Sequence, residues 1–173
     1  MTDTIATDRL VLRRFTLDDA AQYLPLVAMP EIIRYTADRP LQSVREAAAL
    51  LASHPIRDYE RFGYGRMACI EKSSGRLVGF SGLKFLEDMD ETDIGYRFLP
   101  DCWGKGYATE SAAAIMARQP ARLGLSRIIG LVEPENTGSV RVLEKLGMRF
   151  EKRIADAAHG ELDVYAVDLP KAA

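Results

Sequence analysis

Trp103-Gly104-Lys105-Gly106-Tyr107-Ala108-Thr109-Glu110 runs two glycines straight into an alanine-rich helix, and the preceding stretch from Asp93 to Leu99 reads as a strand. Strand, glycine loop and helix in that order restrict the fold more than any other segment of the chain. A loop without bulky side chains at a helix start leaves backbone N–H groups free and turns the positive end of the helix dipole outward. Such a terminus suits a phosphate or diphosphate, so residues 104 to 109 are expected to bind an anion. About thirty residues later, Asn136-Thr137-Gly138-Ser139-Val140-Arg141-Val142-Leu143-Glu144-Lys145-Leu146-Gly147-Met148 reads as a short helix with an asparagine cap and a glycine stop.

The rest of the chain sets the bounds. Its 173 residues, 47% hydrophobic and 28% charged, suit one domain spanning 1–173, with loose ends at 1–6 and 170–173. A formal net charge of −2 argues against general nucleic-acid binding. No apolar run approaches the roughly 20 residues needed to span a bilayer, and the polar start lacks a signal-peptide pattern, so a cytoplasmic location is expected. Cys69 and Cys102 form no Cys-x-x-Cys pair and are expected to be free thiols. Cys102 sits just before the loop, where a helix terminus can lower a thiol pKa, but no histidine lies near it in sequence. His54, expected to end a helix, and His159, in a hairpin turn, make no metal pattern.

Periodicity gives the order of elements. Residues 9–15 read as a strand, Thr16 caps a helix running to about Pro25, and Ser43 caps a second helix after a proline-punctuated stretch. Three strands follow at 64–71, 76–85 and 91–99. A helix is expected from Gly104 to about Arg118, with Pro120 bending or restarting it. A strand at 127–132, the helix at 137–146 and a closing hairpin of 150–154 with 162–169 complete the chain. The order β-α-α-β-β-β-α-β-α-β-β predicts a mixed α/β (α+β) fold with about seven strands in one sheet and about four helices around it. The helix after the third meander strand implies one parallel crossover.

This order and both motifs resemble the GCN5-related N-acetyltransferase (GNAT) superfamily, and most closely its ribosomal-protein-alanine N-acetyltransferase branch. The likeness is carried by Thr7-Asp8-Arg9-Leu10-Val11-Leu12-Arg13, Tyr64-Gly65 through Gly79-Phe80-Ser81-Gly82-Leu83, Ile94-Gly95-Tyr96, the glycine loop, and Asn136 through Gly147. It covers roughly residues 7 to 169. The resemblance implies a GNAT fold and acetyl-CoA as donor. It also implies an amine acceptor, either a protein N-terminus such as a ribosomal-protein alanine or a small-molecule amine, and a V-shaped opening between the fourth and fifth strands.

The family's pyrophosphate signature falls on Trp103, Gly104, Lys105, Gly106, Tyr107 and Ala108, with Thr109 closing the turn. Trp103 replaces the usual Gln or Arg; the binding groups are main-chain amides, which tolerate the change. Lys105 and Arg141 are placed to reach phosphates. Trp103 and Tyr107 are expected to pack, over the cofactor or against the core. The resemblance puts the oxyanion contact on a main-chain N–H at Phe98 or Leu99, and Asn136 on the pantetheine arm or an ordered water. The family's general-acid tyrosine falls on Leu143, which cannot donate a proton, so Ser139 is the remaining acid. A helix-end hydroxyl is its simpler role, as capping is for Asn136. Asp93, Glu133 and Glu135 are candidate bases. A dinucleotide-binding turn fits poorly, because Gly104-x-Gly106-x-x-Thr109 lacks the third glycine. A non-catalytic CoA-binding sensor stands as the competing function, and a monomer or homodimer as the assembly.

Overall fold

The computed structural model describes residues 3–36 and 38–170. Its centre is an eight-stranded sheet built from β1 (Ile5–Ala6), β2 (Leu10–Arg14), β3 (Arg66–Glu71), β4 (Leu77–Leu86), β5 (Glu91–Phe98), β6 (Arg127–Val132), β7 (Arg149–Asp156) and β8 (Gly160–Asp168). The strand order is β1-β2-β3-β4-β5-β6-β8-β7. Every neighbouring pair is antiparallel except β5 and β6, which run parallel and are in register at Asp93–Ile129 alone.

Eight strands replace the expected seven because Ile5–Ala6, in a stretch expected to be loose, pairs with Val11 and Leu12. Ile5 is buried in the core, and Asp3 reaches Arg122 at 2.8 Å.

The helices are α1 (Ala20–Tyr23), α2 (Pro30–Ile33), α3 (Val44–Leu51), α4 (Arg57–Phe62), α5 (Tyr107–Leu123) and α6 (Thr137–Lys145). The expected first helix is broken into short pieces, a 3₁₀ turn at Leu17–Asp19, α1, and a second 3₁₀ turn at Leu24–Val27 carrying Pro25. The second helix does not stop at His54. It passes through a π turn at Ala52–Ile56 and continues as α4, ending on Gly63 in the left-handed region. Pro55 has no N–H to give, and the wider turn accommodates it without breaking the rod. Likewise α5 begins at Tyr107, not Gly104, and runs through Pro120 to Leu123.

Two apolar layers hold the sheet. Leu12, Met67, Ile94, Ile128 and Leu143 pack with Ile115 of α5 on one face. Phe15, Tyr23, Leu26, Leu51 and Ala68 fill the other, under α1 to α4. Alternation along β3 explains the split, since Met67 and Cys69 join the first layer while Ala68 joins the second.

Candidate active site between two diverging strands

Parallel pairing of β5 and β6 ends early, and the reason lies in their side chains. Asp93 Oδ1 accepts the Leu131 N–H at 3.0 Å, replacing a rung of main-chain pairing. Its Oδ2 takes Arg66 at 2.5 Å. The Arg66 guanidinium also donates to the Gly82 carbonyl, and it fits because residue 95 is glycine, where a Cβ would fall 2.4 Å from it. This buried strut fixes the apex of the opening. Beyond it, Tyr96 and Phe98 of β5 face Leu131, Val132 and Glu133 across a cleft of about 990 Å³.

Leu99 gives its N–H to Val78 of β4 at 2.9 Å. Antiparallel alternation then turns the N–H groups of Phe98 and Tyr96 to the opposite edge, toward the cleft. Leu99 therefore has no free amide, and of the two expected donors Phe98 is the one on the open side. The Phe98 carbonyl, on that same edge, is taken by the Trp103 indole N–H at 2.8 Å. Trp103 itself is 51% exposed and does not enter the core, whereas Tyr107 is buried, with its hydroxyl on Glu71 at 2.6 Å.

The loop then turns through Gly104 and Gly106, with φ of 73° and 82°. A Cβ at Gly106 would meet nothing closer than an Arg9 nitrogen at 3.5 Å. The glycine is thus needed for its left-handed backbone rather than for space. The first helical bond of α5 runs from Glu110 N to the Gly106 carbonyl at 3.0 Å. Among the described residues, the amides of Tyr107, Ala108 and Thr109 have no main-chain partners at the helix mouth. An acidic Glu110 in that turn would oppose an anion, but it is engaged by Thr7 Oγ1 at 2.6 Å and Arg9 Nε at 2.7 Å. Burial alone would raise its pKa; the Thr7 and Arg9 bonds outweigh burial and hold it below the ordinary range.

Across the cleft, Asn136 caps α6, its Oδ1 accepting Ser139 N at 3.2 Å. That leaves the Asn136 NH₂ end without a protein partner among the described residues. Ser139 Oγ lies 3.0 Å from the Tyr96 hydroxyl, which also donates to the Ser139 carbonyl at 2.9 Å. Burial pushes the Tyr96 phenol up, so it stays protonated. Leu143 is 1% exposed and fills the space beside Gly130. The family's acid position is therefore an aliphatic part of the cleft wall, packed against Gly130 on one side.

Arg141 lines the cleft. Lys105 is not among its lining residues, and its ammonium stands 6.0 Å from the Tyr107 ring. Glu133 lines the cleft, Glu135 does not, and Asp93 is committed to the strut. Cys102 is buried, and burial with the neighbouring Asp101 pushes its thiol up, away from a nucleophilic thiolate.

Tyr96 enters the sequence reading only within the Ile94-Gly95-Tyr96 likeness and not as a site residue, because nothing local marks its hydroxyl. Its strand position, two residues before Phe98 on the same face, was the available signal.

The family model for the acetyltransferase (GNAT) domain matches residues 9–149. The chain belongs to the GNAT acetyltransferase family. Similar GNAT-type sequences include an uncharacterized N-acetyltransferase, p20, of Bacillus licheniformis, 32% identical over 98% of this chain and 97% of that protein. Among solved structures, a GNAT-family acetyltransferase from Bacillus anthracis superposes with a TM-score of 0.80 at 25% identity, covering 95% of this chain and 98% of the other. The ribosomal-protein α-N-acetyltransferase RimL, solved in complex with coenzyme A, matches with a TM-score of 0.81 at 18% identity, covering 96% and 98%. This GNAT chain has the mixed sheet, the split between β5 and β6, and the glycine loop in their expected places.

Proposed function

We propose that the chain transfers an acetyl group from acetyl-CoA to a primary amine by direct attack while both are bound. The observation that carries this reading is the set of three unpaired amides at Tyr107, Ala108 and Thr109, turned outward by two left-handed glycines beside the open edge of β5. Coenzyme A fits these residues. Its diphosphate would lie against the three amides, with Arg141 at the flank, and its pantetheine arm along the cleft between β5 and α6. When bound, acetyl-CoA supplies an activated thioester carbonyl.

The protein's own groups then have distinct tasks. The Phe98 N–H stands on the cleft edge, where it can stabilise negative charge growing on a carbonyl oxygen. The Asn136 NH₂ is free to hold an amide oxygen of the arm. Ser139 is the hydroxyl available to protonate a departing thiolate, and Tyr96 positions it. Tyr96 gives its single proton to the Ser139 carbonyl, so the phenol oxygen accepts from Ser139 Oγ and holds the serine hydroxyl in place until its proton passes to the thiolate. A thiol near pKa 8.5 leaves without strong acid help, so a hydroxyl in place of the family's tyrosine is adequate. Of the three candidate bases, Glu133 is the one that lines the cleft and is not tied up in the strut, placed to collect the amine's proton directly or through water. The acceptor is a protein N-terminus, as in the RimL likeness, or a small amine.

Thiol release from acetyl-CoA with a panel of amines, alongside calorimetry with CoA, tests the reading. Expected are micromolar CoA binding and acceptor-dependent release. Tyr96→Phe and Ser139→Ala should each lower kcat about tenfold with little change in acceptor KM. A chain that binds no CoA, or releases no thiol with any amine, would sink the proposal.

A further inference from the structure

The far end of the cleft, beneath α1 to α4, holds two charged side chains that the protein leaves unmatched. Asp58 of α4 is 4% exposed, lines the cleft, and accepts no hydrogen bond from any described residue. Its one ion pair is a 3.8 Å contact with its own sequence neighbour, the half-exposed Arg57. Lys84, on β4 beneath that helix, is half-buried and also lines the cleft. Among the described residues it makes no hydrogen bond and no ion pair. Burial pushes the Lys84 ammonium pKa down and the nearby Arg66 adds to this, while Asp58 and Asp93 pull it back up. Asp58 and Lys84 therefore sense each other without meeting.

Two other cations at this end are satisfied. Arg66 is held by Asp93 at 2.5 Å, and Arg97 by Asp38 at 2.9 Å and by the Leu26 carbonyl at 3.1 Å. A buried carboxylate without donors is costly, and the open side of Asp58 is the cavity itself. A purely cationic guest would gain from Asp58 and be opposed by Lys84. A purely anionic one would meet the reverse. A guest carrying both charges gains from both residues.

We propose that Asp58 and Lys84 together select the acceptor, and that it is a small dipolar amine of the free amino acid type. Its ammonium, in the protonated state in which it arrives, docks on Asp58, and its carboxylate docks on Lys84. The inference rests on the acetyltransferase reading, and it makes both residues determinants of specificity rather than of the chemical step.

The test is a thiol-release assay with free L-amino acids, the corresponding amino acid methylamides, polyamines and N-terminal peptides. In the wild type, free amino acids should exceed their methylamides in kcat/KM by at least tenfold. Lys84→Met should erase that preference by raising KM for the free acids, and Lys84→Arg should retain it. Asp58→Asn should raise KM for acids and methylamides alike, with kcat little changed. CoA binding, measured by calorimetry, should be the same in all four proteins, and thermal melts establish that each variant is folded. Wild-type transfer confined to polyamines or peptides, or variants with unaltered KM and preference, overturns the acceptor assignment alone. Failure of the wild type to bind CoA or to acetylate any amine instead removes the reading beneath it.

Discussion

The two ends of the cleft are built from different materials. The end facing α5 and α6 presents chiefly main chain, the amides of residues 107 to 109 and the Phe98 N–H, with the side-chain amide of the Asn136 cap beside them. The end beneath α1 to α4 presents side chains, with Asp58, Lys84, Arg66 and Arg97 set around aromatic residues such as Tyr23 and Phe80. Main-chain donors need particular residue types to expose them, glycine for the turn and asparagine for the cap, so they leave a readable mark. Side-chain pockets need only complementary charges brought together by packing, and packing is not written locally. The Asp93–Arg66 strut stands in the wall between them, and both ends open onto the same cavity.

Substitutions that touch one end and spare the other probe this division. The largest effect belongs to the strut itself. Asp93→Ala leaves the half-buried Arg66 without its counter-charge and the Leu131 N–H without its acceptor. A loss of about 3–5 kcal/mol is expected in urea unfolding, with damage to both ends at once. Stability unchanged by this substitution would remove the strut as the divider.

Next comes Leu143→Tyr, which forces a ring into a site already filled against Gly130. It should cost about 1–3 kcal/mol and give no gain in rate, measured by thermal melts and turnover. A faster, equally stable protein would show the wall of the first end to be looser than drawn.

Gly106→Val addresses that end alone. A β-branched residue at φ of 82° is strained by about 1–3 kcal/mol, so the loop should relax away from its anion-binding shape. CoA affinity by calorimetry should fall roughly ten- to hundredfold, while acceptor preference holds for whatever complex still forms.

The smallest effect concerns the attachment of the helical roof over the second end. Asp19 is 4% exposed and takes Arg13 through both oxygens at 2.8 Å. Burial by itself would raise its pKa, but the Arg13 bonds and the Thr16 N–H outweigh it and hold the carboxyl below its ordinary value. Its contribution is therefore complete above about pH 4 and fades as pH falls through the lower folded value. Asp19→Asn should cost about 1 kcal/mol at pH 7, discounted because Arg13 is partly exposed, and the gap from wild type should close in acid melts.

The same division decides what could be read before the fold was known. The glycine loop, the Asn136 cap and the order of strands were legible because each depends on residues whose backbone preferences are strong. Ile5–Ala6 was not, since two residues are too few to show alternation. The helix expected to end at His54 continues instead, because a π turn carries it past Pro55. Asp58 and Lys84 look, in sequence, like solvated charges on a helix and a strand. They are drawn out of solvent only because α4 lies across β4, a packing the sequence does not show locally. Tyr96 meets Ser139 from 43 residues away, across the cleft.

One consequence follows from the three bare amides at the mouth of α5. Cutting Lys105, Tyr107 or Thr109 back to alanine leaves every peptide N–H of the loop in place, so a truncation survey would not touch the anion contact. Replacing a single peptide N–H by an ester oxygen, at Ala108 for instance, would reach the contact itself.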